Sequence, residues 1–285
     1  MSLPRRLLLL GAVVLLGAGA GVASAASDPG APAAGPRLFS PADAASFRRL
    51  QSRLGGTSGV AVSTVGRGRS VQRLGSLSTG IAWSTSKVPV AMAVIAAGEA
   101  DERASDLRLA ITASDNAAAE RLWSALGAGR PAARAATRQL RAAGDRNTEV
   151  PSERLRSGFT AFGQTTWTLA DQARFAAALP CLPAGRQVLR LMGQTIGAQR
   201  WGLGQVGGDA QLKGGWGPGS RPGVDGPILD RQLGIVTIKG RATAVAIASR
   251  PADGSHASGT RNLTAIAKWM AGHVDVRAVA AAPVC

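Results

Sequence analysis

Two pairs of strand-like segments enclose a long block with helical periodicity, and this order restricts the folds open to the chain. The four apolar, β-branched segments are Val60–Val65, Ser70–Leu74, Arg231–Ile238 and Ala242–Arg250. Residues of about 84–200 have mainly helical patterns. A helix predicted after Ser40 and another capped by Thr260 lie outside the two pairs. We therefore predict an α+β fold: an antiparallel sheet flanked by N- and C-terminal helices, with an inserted all-helical half.

The N-terminal residues have the composition of an export signal. Arg5-Arg6, an apolar run and the small residues Ala23-Ser24-Ala25 predict a signal peptide over residues 1–25. A retained membrane anchor and a twin-arginine route both remain open. Residues 26–39 are predicted to be a Pro/Gly/Ala-rich linker and residues 40–285 a single domain. We expect a monomer that is secreted or associated with the cell envelope.

Cysteine and histidine are both scarce. Because export leads to an oxidising compartment, Cys181 and Cys285 are expected to form a disulfide. The two histidines, His256 and His273, are expected at the surface, and their spacing matches no zinc motif. We therefore predict neither a metal site nor a cofactor.

The formal net charge of +16 suggests an anionic partner. The arginines are scattered and aromatic residues are few, which argues against a nucleic-acid platform and leaves an anionic cell envelope as the expected partner. Only four of the 33 basic residues are lysine. Since arginine does not release its proton in proteins, any position that must exchange a proton has to keep lysine.

Ser84 and Lys87 are three residues apart at the start of an apolar helical stretch. In a helix both side chains would share one face. A neutral lysine can take the proton of a serine hydroxyl, and burial together with a helix N-terminus lowers the pKa of such an amine. Taken alone, the pair is more typical of a helix cap followed by a solvated lysine than of a catalytic pair.

Two further motifs follow along the chain. Ser114-Asp115-Asn116 precedes a helical stripe, where Ser114 is predicted to be the N-cap. A short strand that ends at Lys213 continues into Gly214-Gly215-Trp216-Gly217. Glycines there allow another backbone or a ligand to approach closely.

In this order, Ser-x-x-Lys, Ser-Asp-Asn and Lys-Gly-Gly resemble the three motifs of penicillin-recognising serine enzymes, and of class A β-lactamases in particular. The resemblance covers about residues 40–272. It implies that Ser84 is acylated and that Lys87 accepts its proton. It further implies that Ser114 relays a proton to the leaving nitrogen beside Lys213. The substrate-binding groups it implies are Asn116, Gly215 and the backbone N–H groups of Ser84 and Trp216.

The sequence departs from the family pattern at two points. Gly214 stands where the family has a hydroxyl that contacts the substrate carboxylate; Arg221 and Arg241 are candidates to supply the missing charge. The Glu-x-x-Leu-Asn motif that directs the deacylating water is also missing. Glu149 and Glu153 lie in the corresponding region and remain the candidates for that carboxylate, although neither begins the motif.

The sequence thus predicts a serine hydrolase that forms an acyl-enzyme on Ser84 with a β-lactam or a related amide. Slow deacylation is expected if neither glutamate reaches the ester. One alternative is a D-Ala-D-Ala peptidase that acts on peptidoglycan stem peptides. The other is a non-catalytic binding module of the cell envelope with the same fold.

Overall fold

The computed structural model describes residues 37–219 and 226–278, together with Cys285. The predicted signal peptide, most of the predicted linker and Arg221 lie outside the described residues. Leu38 and Phe39, which the sequence assigns to the linker, are buried, and both backbone N–H groups donate to Oε1 of Gln72. The packed domain therefore includes these two residues. None of the described helices is both long and apolar enough to cross a membrane.

Helices and strands alternate in blocks along the described chain. The α-helices are α1 (Pro41–Leu54), α2 (Lys87–Ala96), α3 (Ala104–Arg108), α4 (Asn116–Ala125), α5 (Gly129–Ala142), α6 (Leu169–Ala178), α7 (Pro183–Gly193) and α8 (His256–His273). The strands are β1 (Thr57–Thr64), β2 (Val71–Gly75), β3 (Thr79–Ile81), β4 (Thr166–Thr168), β5 (Gln211–Pro218), β6 (Ile228–Ile238) and β7 (Arg241–Arg250). The predicted α+β fold is confirmed.

Five strands form one antiparallel sheet in the order β2-β1-β7-β6-β5. The N-terminal pair thus joins the C-terminal strands through β1 and β7, with Val60 opposite Ile247. At the other end β5 pairs only with β6, and Lys213 lies opposite Leu233. The edge strand that carries the third motif is consequently available to line a cleft.

The alternation of side chains along the strands gives the sheet two buried faces. On one face Val60 and Val62 of β1 pack with apolar residues of α1 and α8. On the other face Ala61 packs with Leu169 and Ala173 of α6. Small residues on that second face let α6 lie close to the strands.

The helical half is organised around α2. Every residue from Lys87 to Val94 is buried, so this helix is enclosed on all sides by its neighbours. Pro89 falls in the first turn, where its missing N–H is not required. This burial fixes the position of the segment that begins with Lys87.

Helix α8 begins earlier than predicted. Ser255 is its N-cap and accepts a hydrogen bond from the N–H of Ser258, so Thr260 lies inside the helix. Both residues are good caps by type, and the packing of α8 on the sheet selects the earlier one. His256 therefore belongs to the first turn of a helix rather than to a polar turn.

A disulfide joins Cys181 to Cys285 across 104 residues of sequence, which is the expected pairing. Closing so long a loop restricts the unfolded chain, and we expect Cys181→Ser to lower the free energy of unfolding by about 2–4 kcal/mol. Urea unfolding with and without dithiothreitol measures this difference. Reductant should destabilise the wild type and leave the variant unchanged; equal stability of the two oxidised proteins would contradict the prediction.

Candidate active site

Ser84 lies in a short 3-10 helix, Trp83–Ser86, which leads directly into α2. The preceding residue, Trp83, has a φ of 49°, a left-handed conformation that costs about 1–3 kcal/mol for a residue with a side chain. The segment turns sharply there. As a result Ser84 lines a cavity of about 350 Å³, together with Lys87, Asn116 and Trp216.

Lys87 is buried and its amine is held by two acceptors. Its Nζ donates to the carbonyl oxygen of Ser114 at 2.5 Å and to Oδ1 of Asn116 at 2.7 Å. Burial lowers the pKa of Lys87 to about 7, against an opposing effect of the Asp115 carboxylate. A neutral amine has two N–H bonds and one lone pair. With both N–H groups engaged, the neutral amine retains its lone pair, and the remaining polar contact of Nζ is the Ser114 hydroxyl at 3.3 Å.

The amines of Lys87 and Lys213 both lie next to the side-chain hydroxyl of Ser114. Nζ of Lys213 donates to its hydroxyl at 2.8 Å, and Nζ of Lys87 lies 3.3 Å from the same oxygen. Lys213 also donates to the carbonyl of Gly214 at 2.9 Å. Burial holds the pKa of Lys213 well below its usual range, and the neighbouring Lys87 acts in the same direction. Helix α2, through Lys87, and strand β5, through Lys213, thus contribute to one polar cluster around Ser114.

The cap of α4 differs from the prediction. Asp115 is the N-cap and accepts from the N–H of Ala118 at 2.6 Å. Ser114 instead has a φ of 61°, a left-handed conformation at the end of the π-helix Leu109–Ala113. This conformation turns the Ser114 side chain toward the lysines, so that it does not cap the helix.

Two glycines of strand β5 lie close to neighbouring groups, Gly215 to the 3-10 helix and Gly214 to Trp201. A Cβ atom on Gly215 would lie 2.8 Å from the backbone nitrogens of both Ser84 and Thr85. A Cβ atom on Gly214 would lie 3.0 Å from the indole ring of Trp201. Gly215 lets the backbone of Ser84 and Thr85 approach the strand, and Gly214 leaves room for an indole where the resemblance implies a hydroxyl.

Solved structures with the same arrangement of elements are β-lactamases. A β-lactamase from Xanthomonas campestris superposes with a TM-score of 0.60 at 20% identity, covering 81% of this chain and 97% of that one. A class A β-lactamase from Mycobacterium abscessus gives 0.60 at 16%, covering 80% and 97%. A putative class A enzyme from Rhodopseudomonas palustris gives 0.61 at 17%, covering 81% and 99%. The chain has the class A β-lactamase fold. No protein-family model and no curated protein sequence matches it.

Within this β-lactamase fold, an aromatic cluster covers one side of β5. The rings of Trp216 and His256 stack with centroids 4.8 Å apart, and Trp201 meets both edge-on. Nδ1 of His256 is hydrogen-bonded to Oδ1 of Asp230 at 2.5 Å. Burial raises the pKa of Asp230 to about 6, while His256 acts in the opposite direction. His256 lies at the surface, as expected, with its side chain 40% exposed, and the buried carboxylate of Asp230 anchors its ring.

The two carboxylates predicted from sequence do not line the cavity of Ser84. Glu149 is exposed and forms an ion pair with Arg141, and Glu153 is also exposed. The carboxylate that lines the cavity is Glu120, which pairs with Arg154 at 3.0 Å. The position of Glu120 could have been predicted from the sequence, because this residue is four positions after Asn116 and so shares its helix face.

Aromatic rings form much of the remaining wall of the cavity. Trp83, Phe159 and Trp216 line it, and the guanidinium of Arg156 lies 3.8 Å from the centroid of the Phe159 ring.

Arg241, one candidate for a substrate-binding charge, begins β7 beside the hairpin turn and does not line the cavity. Over residues 37–219 and 226–278, no His, Cys, Asp and Glu side chains cluster in a way that could hold a metal ion.

Proposed function

We propose that this protein is an exported serine hydrolase that forms an acyl-enzyme on Ser84 with a β-lactam or a related amide. One observation carries the proposal: the amines of Lys87 and Lys213 converge on the Ser114 hydroxyl beside a cavity that Ser84 lines. Acyl transfer of this kind uses a nucleophile, an amine whose pKa is low enough for it to act as a base, and a hydroxyl that can donate a proton. The disulfide supports an oxidising location.

Each step uses a group in this cluster. Lys87, whose pKa of about 7 leaves a large neutral fraction at neutral pH, takes the hydroxyl proton of Ser84 as the oxygen attacks the amide carbonyl. Backbone N–H groups of Ser84 and Trp216 stabilise the resulting oxyanion. Ser114, hydrogen-bonded to Lys213, then passes a proton to the leaving nitrogen. Asn116 contributes its amide N–H₂ to the substrate, since its oxygen is engaged by Lys87.

A fluorescent penicillin tests this proposal directly. Intact mass spectrometry should show one adduct per chain, and peptide mapping should assign it to Ser84. The neighbouring hydroxyls of Thr85 and Ser86 are an internal control, because both are buried and donate to backbone carbonyls. An adduct elsewhere, or no adduct over hours at millimolar penicillin, would favour the non-catalytic envelope module.

The pH dependence of acylation follows from Lys87. Since only the neutral amine can act as the base, the rate should be low at acidic pH, rise through a pKa of about 7 and level off above it. Stopped-flow acylation from about pH 5.5 to about pH 9 measures the profile. A rate that falls with increasing pH over this range would contradict the assignment.

The placement of Glu149 and Glu153 favours one alternative, a D-Ala-D-Ala peptidase, because neither carboxylate lines the cavity that would hold the acyl-enzyme. Such an enzyme releases or transfers its acyl group without a dedicated water-activating glutamate. Glu120 is the residue that separates the two functions. It lies in the cavity on the face of α4 that carries Asn116, and Arg154 holds its carboxylate there.

We expect Glu120→Gln to lengthen the lifetime of the acyl-enzyme by about 10²-fold or more, because a carboxylate that activates water contributes at least that factor. The acylation rate should change little, since Lys87 performs that step. Following the loss of the penicillin adduct by mass spectrometry separates the two rates. Glu149→Gln is the matched control and should decay as the wild type does. Identical decay of Glu120→Gln and wild type would favour the peptidase.

A further inference from the structure

A row of arginines runs along the outer face of α5. Arg130, Arg134 and Arg138 follow one another at intervals of four residues, so their side chains share one face and rise by about 6 Å from each to the next. All three are exposed. The opposite face of the helix is buried and consists largely of alanine. The charge of α5 is thus concentrated on its solvent side.

Carboxylates near this row are engaged by other arginines. Glu149, at one side of the row, pairs with Arg141. Glu99, at the other side, pairs with Arg103 at 3.4 Å. In the part of the chain that the structure describes, no carboxylate forms an ion pair with any of the three arginines of the row. Like charges at this spacing repel one another and destabilise a helix, so the row reduces the stability of the free protein.

Two grooves flank the row of arginines on α5, one on each side. One groove, of about 460 Å³, is lined by all three arginines and by Thr137. A second, of about 530 Å³, is lined by Arg134 and Arg138 from the other side. The loop that follows α5 borders the first groove at residues 149, 150 and 152 and the Ser84 cavity at residue 154. The row therefore lies along a surface that leads toward the proposed active site.

We infer that Arg130, Arg134 and Arg138 form a docking surface for a linear polyanion, a chain of phosphate or carboxylate groups of the kind an anionic cell envelope carries. Guanidinium groups bind both anions in a bidentate manner. Among the residues that the structure describes, no aromatic side chain lines either groove, so these grooves offer no stacking platform for nucleic-acid bases. The inference does not depend on the chemistry proposed for Ser84.

The test compares two triple variants with the same change of net charge. One replaces Arg130, Arg134 and Arg138 of α5 with glutamine; the other replaces the exposed Arg48, Arg49 and Arg53 of α1. Binding of fluorescent inorganic polyphosphate, of polyglutamate and of single-stranded DNA is measured between about 50 mM and about 200 mM salt. Circular dichroism establishes that both variants are folded. Single glutamine variants of α5 provide a second set with smaller perturbations.

We expect the α5 triple variant to bind polyphosphate or polyglutamate at least about 10-fold more weakly, with a smaller dependence on salt, because contacts to three anionic groups are lost. The α1 variant should bind within about twofold of the wild type, and penicillin acylation should be unchanged in both. Comparison of the two polymers identifies the anionic group. Equal losses in both variants, no binding of either polymer by the wild type, or tighter binding of DNA than of both polymers would overturn the inference.

Discussion

Replacing Lys87 with arginine is expected to slow acylation of Ser84 by penicillin by about 10²–10⁴-fold, the range attributable to a general base. The substitution keeps a long cationic side chain at the start of α2. It removes the ability to become neutral, because a guanidinium does not lose its proton in a protein. Lys87 acquires that ability from burial, which lowers its pKa to about 7. Stopped-flow acylation with a chromogenic penicillin measures the change.

Two controls make this result specific. Lys268→Arg makes the same replacement at an exposed lysine of α8, and this variant should be acylated at the wild-type rate. Thermal unfolding should show that Lys87→Arg remains folded at the assay temperature. If a folded Lys87→Arg acylates within about tenfold of the wild type, another group takes the proton and the proposed role of Lys87 is wrong.

The sequence could predict those parts of the site whose geometry is local. Ser84 and Lys87 are brought together by helical spacing alone, and Asp115 and Asn116 follow from a helix start. The antiparallel sheet was predictable from the two strand pairs. The contact between Lys213 and Ser114, which are 99 residues apart, depends on tertiary packing, and only the resemblance of the ordered motifs predicts it.

Other features were missed for different physical reasons. Glu120 lies four residues after Asn116 and so shares its helix face, but the family's glutamate motif lies in the loop region, and the resemblance therefore favoured Glu149 and Glu153. The start of α8 was predicted too late because two good caps, Ser255 and Thr260, stand close together and only packing chooses between them. No local pattern marks a buried arginine, since its partners come from separate elements and the residue type is normally exposed.

Arg231 is such a residue. It lies on β6, is 1% exposed and has no carboxylate among its hydrogen-bond partners. Its guanidinium donates to the backbone carbonyls of Gly80, Ile81 and Trp167 and to Oε1 of Gln172. Burial lowers its pKa, and the acceptors compensate part of the cost of the buried charge.

This network connects the sheet to the segment that carries Ser84. Gly80 and Ile81 end β3, immediately before the turn into Trp83 and Ser84. Gln172 of α6 extends the connection, because its Nε2 donates to Oγ1 of Thr85 at 2.8 Å. One guanidinium thereby fixes β3, β4 and α6 relative to the 3-10 helix of the proposed active site.

Arg231→Met should consequently lower the free energy of unfolding by about 3–5 kcal/mol. The methionine fills most of the volume, but three backbone carbonyls lose their buried donors, and each unpaired group costs about 1–3 kcal/mol. Urea unfolding measures the loss. Arg73→Met, at an exposed position of β2, is the matched control and should change stability by no more than about 0.5 kcal/mol. A loss below about 1 kcal/mol for Arg231→Met would mean that the carbonyls find other donors and that the strands do not depend on this side chain.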